Sequence, residues 1–591
     1  MPRKAYVWML ACGIFLSASL LLQWNGHITA IDGAYDSVRY LGMAESLAAG
    51  KWLGAYNQMT LIRPPMYPAF LAINSWMGWP LERSQALVYL TSVALLLGAL
   101  QEIGVAGWRI AVVCLLCAFH PTELLTSEFV ASEGIYTSIS TMLLAGCLGV
   151  MGAAANASDS RLFLWLCLLS VSAACFWHIR PESIWIVPFG GIYILYLCRT
   201  FRKSYRQKWL AVSGAVLLPC LSVCMMTLYL ENRNAKEYGV HIVQELNEPN
   251  IVSAFAWLTR IDGGKHHPYI PVTNTALSQA YEVSPHFALL KPFLSQQTGG
   301  KGWSRYGCEW MNVCDELSGG WLIWAVRDAA ASIGVYESAV SASRFYGRVA
   351  HEIQTACREG RITCTHNPTG NMLGPPIMWT DVPRILVSCA KMLALTVRFE
   401  GLAKGIEAVS HMQPPAGLVA RYNKITHDQF SNKKNISVSL FVTLIRIFEV
   451  IQVIGGVWML VVTGKNGRKW WTDFKSGLTD AQQKTCWVVG GLMSYILARI
   501  AVVAYIDAMS FYAQIRYVMV IYPALMTLMC FFIPGLSLKK SFHRRSGSMA
   551  LPKETHGIDE HEPLKETGLL RKMALTGSNS ECWPRSAAQA A

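Results

Sequence analysis

The stretch Asp32 to Pro68, DGAYDSVRYLGMAESLAAGKWLGAYNQMTLIRPPMYP, decides how the rest of the chain is read. It follows the hydrophobic segment Tyr6 to Trp24 and carries two acids, Asp32 and Asp36. Two arginines, Arg39 and Arg63, share it, and Arg63 runs into the stiff turn Pro64-Pro65-Met66-Tyr67-Pro68. Each proline locks its φ near about −65°, so Arg63 enters a constrained turn. Ionisable groups beside an apolar segment are costly unless they are paired or used. Acids and arginines held against a bilayer fit chemistry on a phosphate-bearing lipid.

The chain has 591 residues, 53% hydrophobic and 15% charged, with a mean hydropathy of +0.30. An average soluble domain carries about 25% charge. The expected fold class is therefore an all-α polytopic membrane protein with about ten transmembrane helices, each needing about 20 mostly apolar residues. Tyr6 to Trp24 is expected as a retained first helix, since it lacks a clear small-residue cleavage site. Further spans are expected roughly at 85–101, 104–120, 127–152, 162–179, 182–198, 209–230, 438–463, 485–507 and 513–535. This divides the chain into an N-terminal transmembrane module (1–230, with its first outer loop at 24–84) and an extracytoplasmic mixed loop domain (231–437). C-terminal transmembrane helices (438–535) and a cytoplasmic tail (536–591) expected to be disordered complete it.

The net charge of +14 comes from 51 basic and 37 acidic residues. The basic clusters flank hydrophobic spans, so they orient a membrane protein rather than bind nucleic acid. With the N-terminus in the cytoplasm, 199–208, 464–484 and the tail all fall inside, and all three are rich in Lys and Arg. The same alternation puts Asp32 to Pro68 and 231–437 outside. Cys308, Cys314, Cys357 and Cys364 lie in one hydrophilic region and suit two disulfides if it is extracytoplasmic; their pairing, and the alternative of four free thiols, stay open.

The outer connections gather more polar groups. His120-Pro121-Thr122-Glu123 joins two spans, Glu128 and Glu133 open the next helix, Arg180-Pro181-Glu182 joins two more, and Asp507 and Arg516-Tyr517 flank the last outer turn. Interfacial caps and salt bridges account for any one of them singly. Arg446 and Glu449 read as an internal pair, Arg499 as a paired or snorkelling side chain, and His266, His267 and His427 as plain loop histidines.

Asp36-x-x-x-Tyr40-x-x-x-Ala44-x-x-Leu47-x-x-Gly50, followed by Arg63-Pro64-Pro65-Met66-Tyr67-Pro68, resembles the first extracytoplasmic loop of GT-C superfamily glycosyltransferases. These include protein O-mannosyltransferases and the aminoarabinose transferases that modify lipid A. Ser132-Glu133-x-x-Tyr136 after His120-Pro121 resembles their second acidic motif, and Arg180-Pro181-Glu182 and Arg516-Tyr517 resemble later arginine positions. The resemblance covers roughly residues 1–230 and 438–535. That family often has an adjacent acidic pair, whereas Asp32 and Asp36 are four apart, so which one acts stays open.

The resemblance implies a glycosyltransferase moving a hexose or pentose from a polyprenyl-phosphate donor to an acceptor hydroxyl, with inversion, at a bacterial inner (plasma) membrane facing the periplasm or exterior. Asp36, Asp32 and Glu133 are the expected catalytic residues, and Arg63, Arg180 and Arg516 the expected donor-phosphate ligands. Arg39, Glu128, Glu182 and Tyr517 are expected to orient the acceptor. The expected partners are membrane lipid, the lipid-linked sugar donor and a glycan, lipid or protein acceptor, not nucleic acid. No cofactor and no protein-bound metal are called for, though assistance by a divalent metal stays open. The aromatics of 231–437, among them Trp303, Tyr306, Trp310, Trp321 and Trp324, suit stacking on sugars. The alternatives are a lipid or sugar transporter or flippase, a non-catalytic membrane scaffold, and a polymerase or ligase using a lipid-diphosphate glycan.

Overall fold

A computed structural model describes residues 3–24, 27–28, 37–155, 159–202, 207–365, 377–400, 402, 416–430, 438–476 and 479–533. Asp32, Asp36, the Asn435-Ile436-Ser437 glycosylation pattern, Cys582 and the tail lie outside them. Among the described residues, eight helices are long and apolar enough to cross a membrane: Leu81–Glu102, Gly107–Thr126, Glu133–Ala154, Ser160–Trp177, Pro181–Arg199, Ser213–Tyr238, Ser439–Lys465 and Gln482–Met509. Shorter apolar helices, Tyr6–Leu22 and Met519–Phe531, stand where the first and last spans were expected.

The expected spans at 85–101 and 104–120 are separate helices because Gly104, at φ +91°, takes a left-handed conformation that ends the first of them. The helix Glu133–Ala155 is the most enclosed of the long ones. A Cβ added at Gly149 would lie 2.1 Å from the Trp165 ring, and one at Gly146 would lie 2.9 Å from the Leu169 backbone. These glycines let the neighbouring helix approach closely, which is how dispersion drives helix association in lipid. Ser213–Tyr238 is the least covered by protein. The expected span at 513–535 is broken into the 3₁₀ turns Ile515–Tyr517 and Met519–Ile521 and a helix of 10 residues, Tyr522–Phe531. At 1.5 Å per residue this helix covers about half of the hydrocarbon core.

The described part of 231–437, expected as a mixed loop domain, is mainly helical. Pro249–Leu258, Asn274–Val283, Gly319–Ser332 and Ala339–Arg358 enclose a core of Phe255, Leu322, Val326, Tyr346 and Ile353. Ala342, Phe345, Val349, Ile353 and Ala356 recur at helical spacing on the buried face of Ala339–Arg358, and the Ser338 hydroxyl accepts from Ser341 N at 3.1 Å to cap its start. Cys308 bonds to Cys314 and Cys357 to Cys364. The described strands are short: His27–Ile28 pairs in parallel with Gln429–Phe430.

This helical region grips the first polar loop. Arg327 is buried, ion-paired to Glu245, and donates to the Gln58 carbonyl. The Tyr56 hydroxyl donates to the other oxygen of Glu245. Burial, reinforced by Glu245, holds the Tyr56 phenol far above its ordinary pKa, so it stays a neutral donor. Trp52 Nε1 donates to Asn234 Oδ1 at 2.7 Å, and Tyr238 donates to the Gly54 carbonyl at 2.9 Å.

Val382–Arg398 forms a helix of 17 residues. It rests on the Asp480–Met509 helix through Asp507, which accepts from Ser388 at 2.9 Å and Lys391 at 2.8 Å. Leu386, Val387 and Leu393 are exposed. Arg446 and Glu449 form the expected pair at 2.7 Å. Of the histidines read as plain loop residues, His266 instead bridges to Asp381 at 3.1 Å.

Asp428 caps the Leu81–Glu102 helix from far away in sequence, accepting from Leu81 N at 2.7 Å and Glu82 N at 3.3 Å. Burial pushes its carboxyl up to about 7. The unfolded chain therefore releases this proton at lower pH than the fold does, and stability falls as pH rises between about 4 and 7. Asp428→Asn keeps the carbonyl acceptor without the charge. Its melting temperature is expected to gain on that of the wild type from pH 5 to pH 8, which thermal unfolding in detergent would measure; a constant gap would contradict the assignment.

Candidate functional site

Connections that the sequence reading expects on one side converge on a cavity of about 690 Å³. That volume suits a ligand of drug-like size or a phosphosugar with a neighbour. Its wall takes Ser37, Tyr40, Ile62 and Arg63 from the first loop, Ser132 and Glu133 from the start of the Glu133–Ala155 helix, and Arg180 and Glu182 from the next outer turn. Arg499, Arg516 and Tyr517 come from the last pair of spans, and Trp303, Trp310, Trp321 and Trp324 from the 231–437 region.

Arg180 sits at the centre of the polar wall. It meets Glu133 at 2.8 Å, Glu182 at 2.6 Å and the Ser132 hydroxyl at 3.3 Å. Pro181 follows it, so the chain leaves the preceding helix in an extended conformation at Arg180 and turns the side chain inward. Burial alone would lower the Arg180 pKa. Glu133 and Glu182 outweigh it, and the guanidinium is held well above its ordinary value.

Arg499 projects from the Asp480–Met509 helix and is 2% exposed. Its Nε donates to the Tyr517 carbonyl at 2.7 Å, and Nη2 lies 3.5 Å from Glu182. Its Nη1 is buried with no hydrogen-bond partner. Arg516 donates to the Tyr517 hydroxyl at 3.1 Å, and its guanidinium lies 5.0 Å from that ring. Among the described wall residues there are four arginines against two glutamates. The excess of positive charge, screened from water, favours an anion with several oxygens, which guanidinium forks grip bidentately.

Of the residues singled out in the sequence, the structure brings Arg63, Glu133, Arg180, Glu182, Arg516 and Tyr517 to this wall. Ser37, the chain neighbour of Asp36, also lines it and donates to the Val130 carbonyl at 2.9 Å. Arg39 and Glu128 are buried away from the wall, Arg39 with its guanidinium 4.9 Å from the Tyr40 ring. Arg499 was passed over as a paired or snorkelling side chain. Its position inside an apolar span was the available signal, because a charge there demands a reason.

No family model and no curated protein matches this sequence. Among solved structures the chain is similar to ArnT from Cupriavidus metallidurans, crystallised bound to undecaprenyl phosphate. The two share 11% identity over 89% of this chain and 76% of that one, at a TM-score of 0.28, a likeness too loose to carry any argument about this chain.

Proposed function

We propose that this chain is a membrane glycosyltransferase that moves a sugar from a polyprenyl-phosphate donor to an acceptor hydroxyl. The observation that carries the reading is the convergence of Arg63, Arg180, Arg499 and Arg516 on one cavity at the end of a membrane-helix bundle, around Glu133 and Glu182. A lipid phosphate at the bilayer surface needs such a cationic, partly dry cradle.

In the proposed reaction the acceptor oxygen attacks the anomeric carbon as a carboxylate takes its proton. The bond from that carbon to the phosphate oxygen breaks, and the electron pair leaves with the phosphate. A phosphate monoester has a second pKa of about 6, so it departs as an anion and needs cations rather than a strong acid. The guanidinium groups supply that stabilisation, which is large in a water-poor site. Asp36 is the first choice for the base and Asp32 the second. Glu133, paired to Arg180, orients the cationic wall. Attack opposite the phosphate inverts the anomeric centre. Most of these polar groups lie in connections between spans, with Arg499 inside one, which favours this reading over a transporter, whose polar groups would gather near mid-bilayer.

The alternation read from the sequence would put the connections that line the cavity opposite the Lys- and Arg-rich ones, and the two disulfides suit an oxidising compartment. Both support an extracytoplasmic active site, in a bacterium the periplasmic face of the inner membrane. Purified protein incubated with a panel of polyprenyl-phosphate sugars is expected to transfer one of them. Asp36→Asn, or else Asp32→Asn, is expected to be slower by about 10²–10⁴-fold. Transfer at the wild-type rate by both variants would remove the assigned base and the mechanism with it.

A further inference from the structure

The two walls of the cavity differ in chemistry. The cationic wall accounts for a phosphate and leaves the aromatic wall without a role. We propose, resting on the transferase reading above, that the aromatic wall is the acceptor subsite and that the acceptor is itself a saccharide.

Trp321 is the centre of this wall. Its ring lies 4.7 Å from Tyr306 at 27°, 6.1 Å from Trp303 at 20° and 5.8 Å from Trp310 at 69°. Its indole Nε1 is buried and has no hydrogen-bond partner. The neighbouring Trp303 differs: its Nε1 donates to Asp328 at 2.9 Å. Trp303, Trp310, Trp321 and Trp324 line the cavity with apolar ring surface, and the covered Trp321 N–H, which costs about 1–3 kcal/mol while buried and unpaired, gains a partner only where a ligand hydroxyl displaces the atoms that cover it. A pyranose ring answers both demands, with C–H groups on one face and hydroxyl acceptors at its edge. An acyl chain offers no acceptor for the N–H, and a serine or threonine side chain offers no ring to cover the aromatic surface.

The wall is also rigid. Tyr306 and Trp310 ride on the short helix Ser304–Met311, whose end is tied by the Cys308–Cys314 disulfide, and Gly300 N donates to the Cys314 carbonyl at 3.0 Å. Fixed rings lose little entropy when a ligand docks. Trp310 is 43% exposed and stands at the rim.

The aromatic wall is joined to the cationic one. Phe511 sits 6.3 Å from Trp321 and packs where a Cβ at Gly320 would approach it to 2.5 Å. Phe511 lies 6.0 Å from Tyr517, whose hydroxyl accepts from Arg516. A ring seated on Trp321 therefore stands beside the place where the donor phosphate is held.

The test uses the full-length protein in nanodiscs without donor. Maltotriose, an N-acetylglucosamine trisaccharide and a mannotriose are titrated while tryptophan fluorescence is followed, with a serine/threonine-rich peptide and a fatty alcohol as comparison arms. Undecaprenyl phosphate binding is measured on the same samples. At least one trisaccharide is expected to give saturable quenching. Trp321→Phe, which keeps a ring but removes the N–H, is expected to weaken it about tenfold, and Trp310→Ala is expected to weaken it too, with undecaprenyl phosphate binding unchanged in both. Trp310 is at the rim, so its variant remains informative if Trp321→Phe folds poorly.

Saturable binding of the peptide or the alcohol in place of every trisaccharide overturns the proposal, as does trisaccharide affinity untouched by both variants. No trisaccharide binding by the wild-type protein, with undecaprenyl phosphate still bound, would sink the acceptor assignment alone. Failure to bind undecaprenyl phosphate as well would sink the transferase reading beneath it.

Discussion

On the proposed transferase reading, Arg499→Gln is expected to slow sugar transfer by about 10²–10³-fold, the usual effect of removing one donor aimed at developing negative charge. Arg499 is buried, its Nε and Nη2 are committed to the Tyr517 carbonyl and Glu182, and its Nη1 has no protein partner. Arg499 lines the cavity, and that leaves a buried cationic N–H just behind the wall, which a phosphate oxygen that displaces its cover would complete. Glu182 keeps Arg180 at 2.6 Å in the variant, so the wall should remain assembled. Arg499→Lys is not expected to restore the rate, because an ammonium cannot span the carbonyl, Glu182 and the ligand as a planar fork does. Steady-state rates with a polyprenyl-phosphate sugar, together with the affinity for undecaprenyl phosphate, would check this. Wild-type rates in both variants would remove Arg499 from the phosphate site.

Arg327→Met is expected to destabilise the protein by about 3–5 kcal/mol, the cost of leaving a buried ion-pair partner uncompensated. Glu245 is as buried as Arg327, and the pair also holds Tyr56 and the Gln58 carbonyl. Removing the guanidinium strands the Glu245 carboxylate and releases the loop that leads into Arg63. Thermal unfolding should show the loss, and transfer activity should fall with it, since Arg63 lines the cavity. Adding Glu245→Gln should recover much of the stability by removing the stranded charge, and recovery of stability without recovery of activity would show that the clamp positions the loop. If Arg327→Met melts like the wild type, the clamp holds nothing.

The arginines illustrate how far the sequence could be read. Arg63 and Arg180 precede prolines, and Arg516 stands in a tight outer turn, so each was visible as a constrained charge at a membrane boundary. Arg499 has no such punctuation and sits in an apolar stretch of its helix, between Ile496 and Ala504. Asp507 flanks the same turn as Arg516, yet it anchors the Val382–Arg398 helix through Ser388 and Lys391. Arg39 and Glu128 lie in the same connections as residues of the cavity wall and still do not reach it. Local spacing says that a charge needs a partner, but the partner is chosen by packing between elements distant in the chain.

By itself the sequence determined the class of fold, the positions of nearly all the long helices, and the gathering of charged connections at one end. Those features follow from local requirements: a bilayer demands long apolar helices whose backbone bonds are satisfied internally, and it rejects charge from their middles. Tertiary structure alone decided which charges share a cavity, that Arg327 meets Glu245 across 82 residues of chain, and that Trp321 is left with an unpaired N–H. These depend on how helices pack across long separations, and nothing in the spacing of neighbouring residues encodes that arrangement.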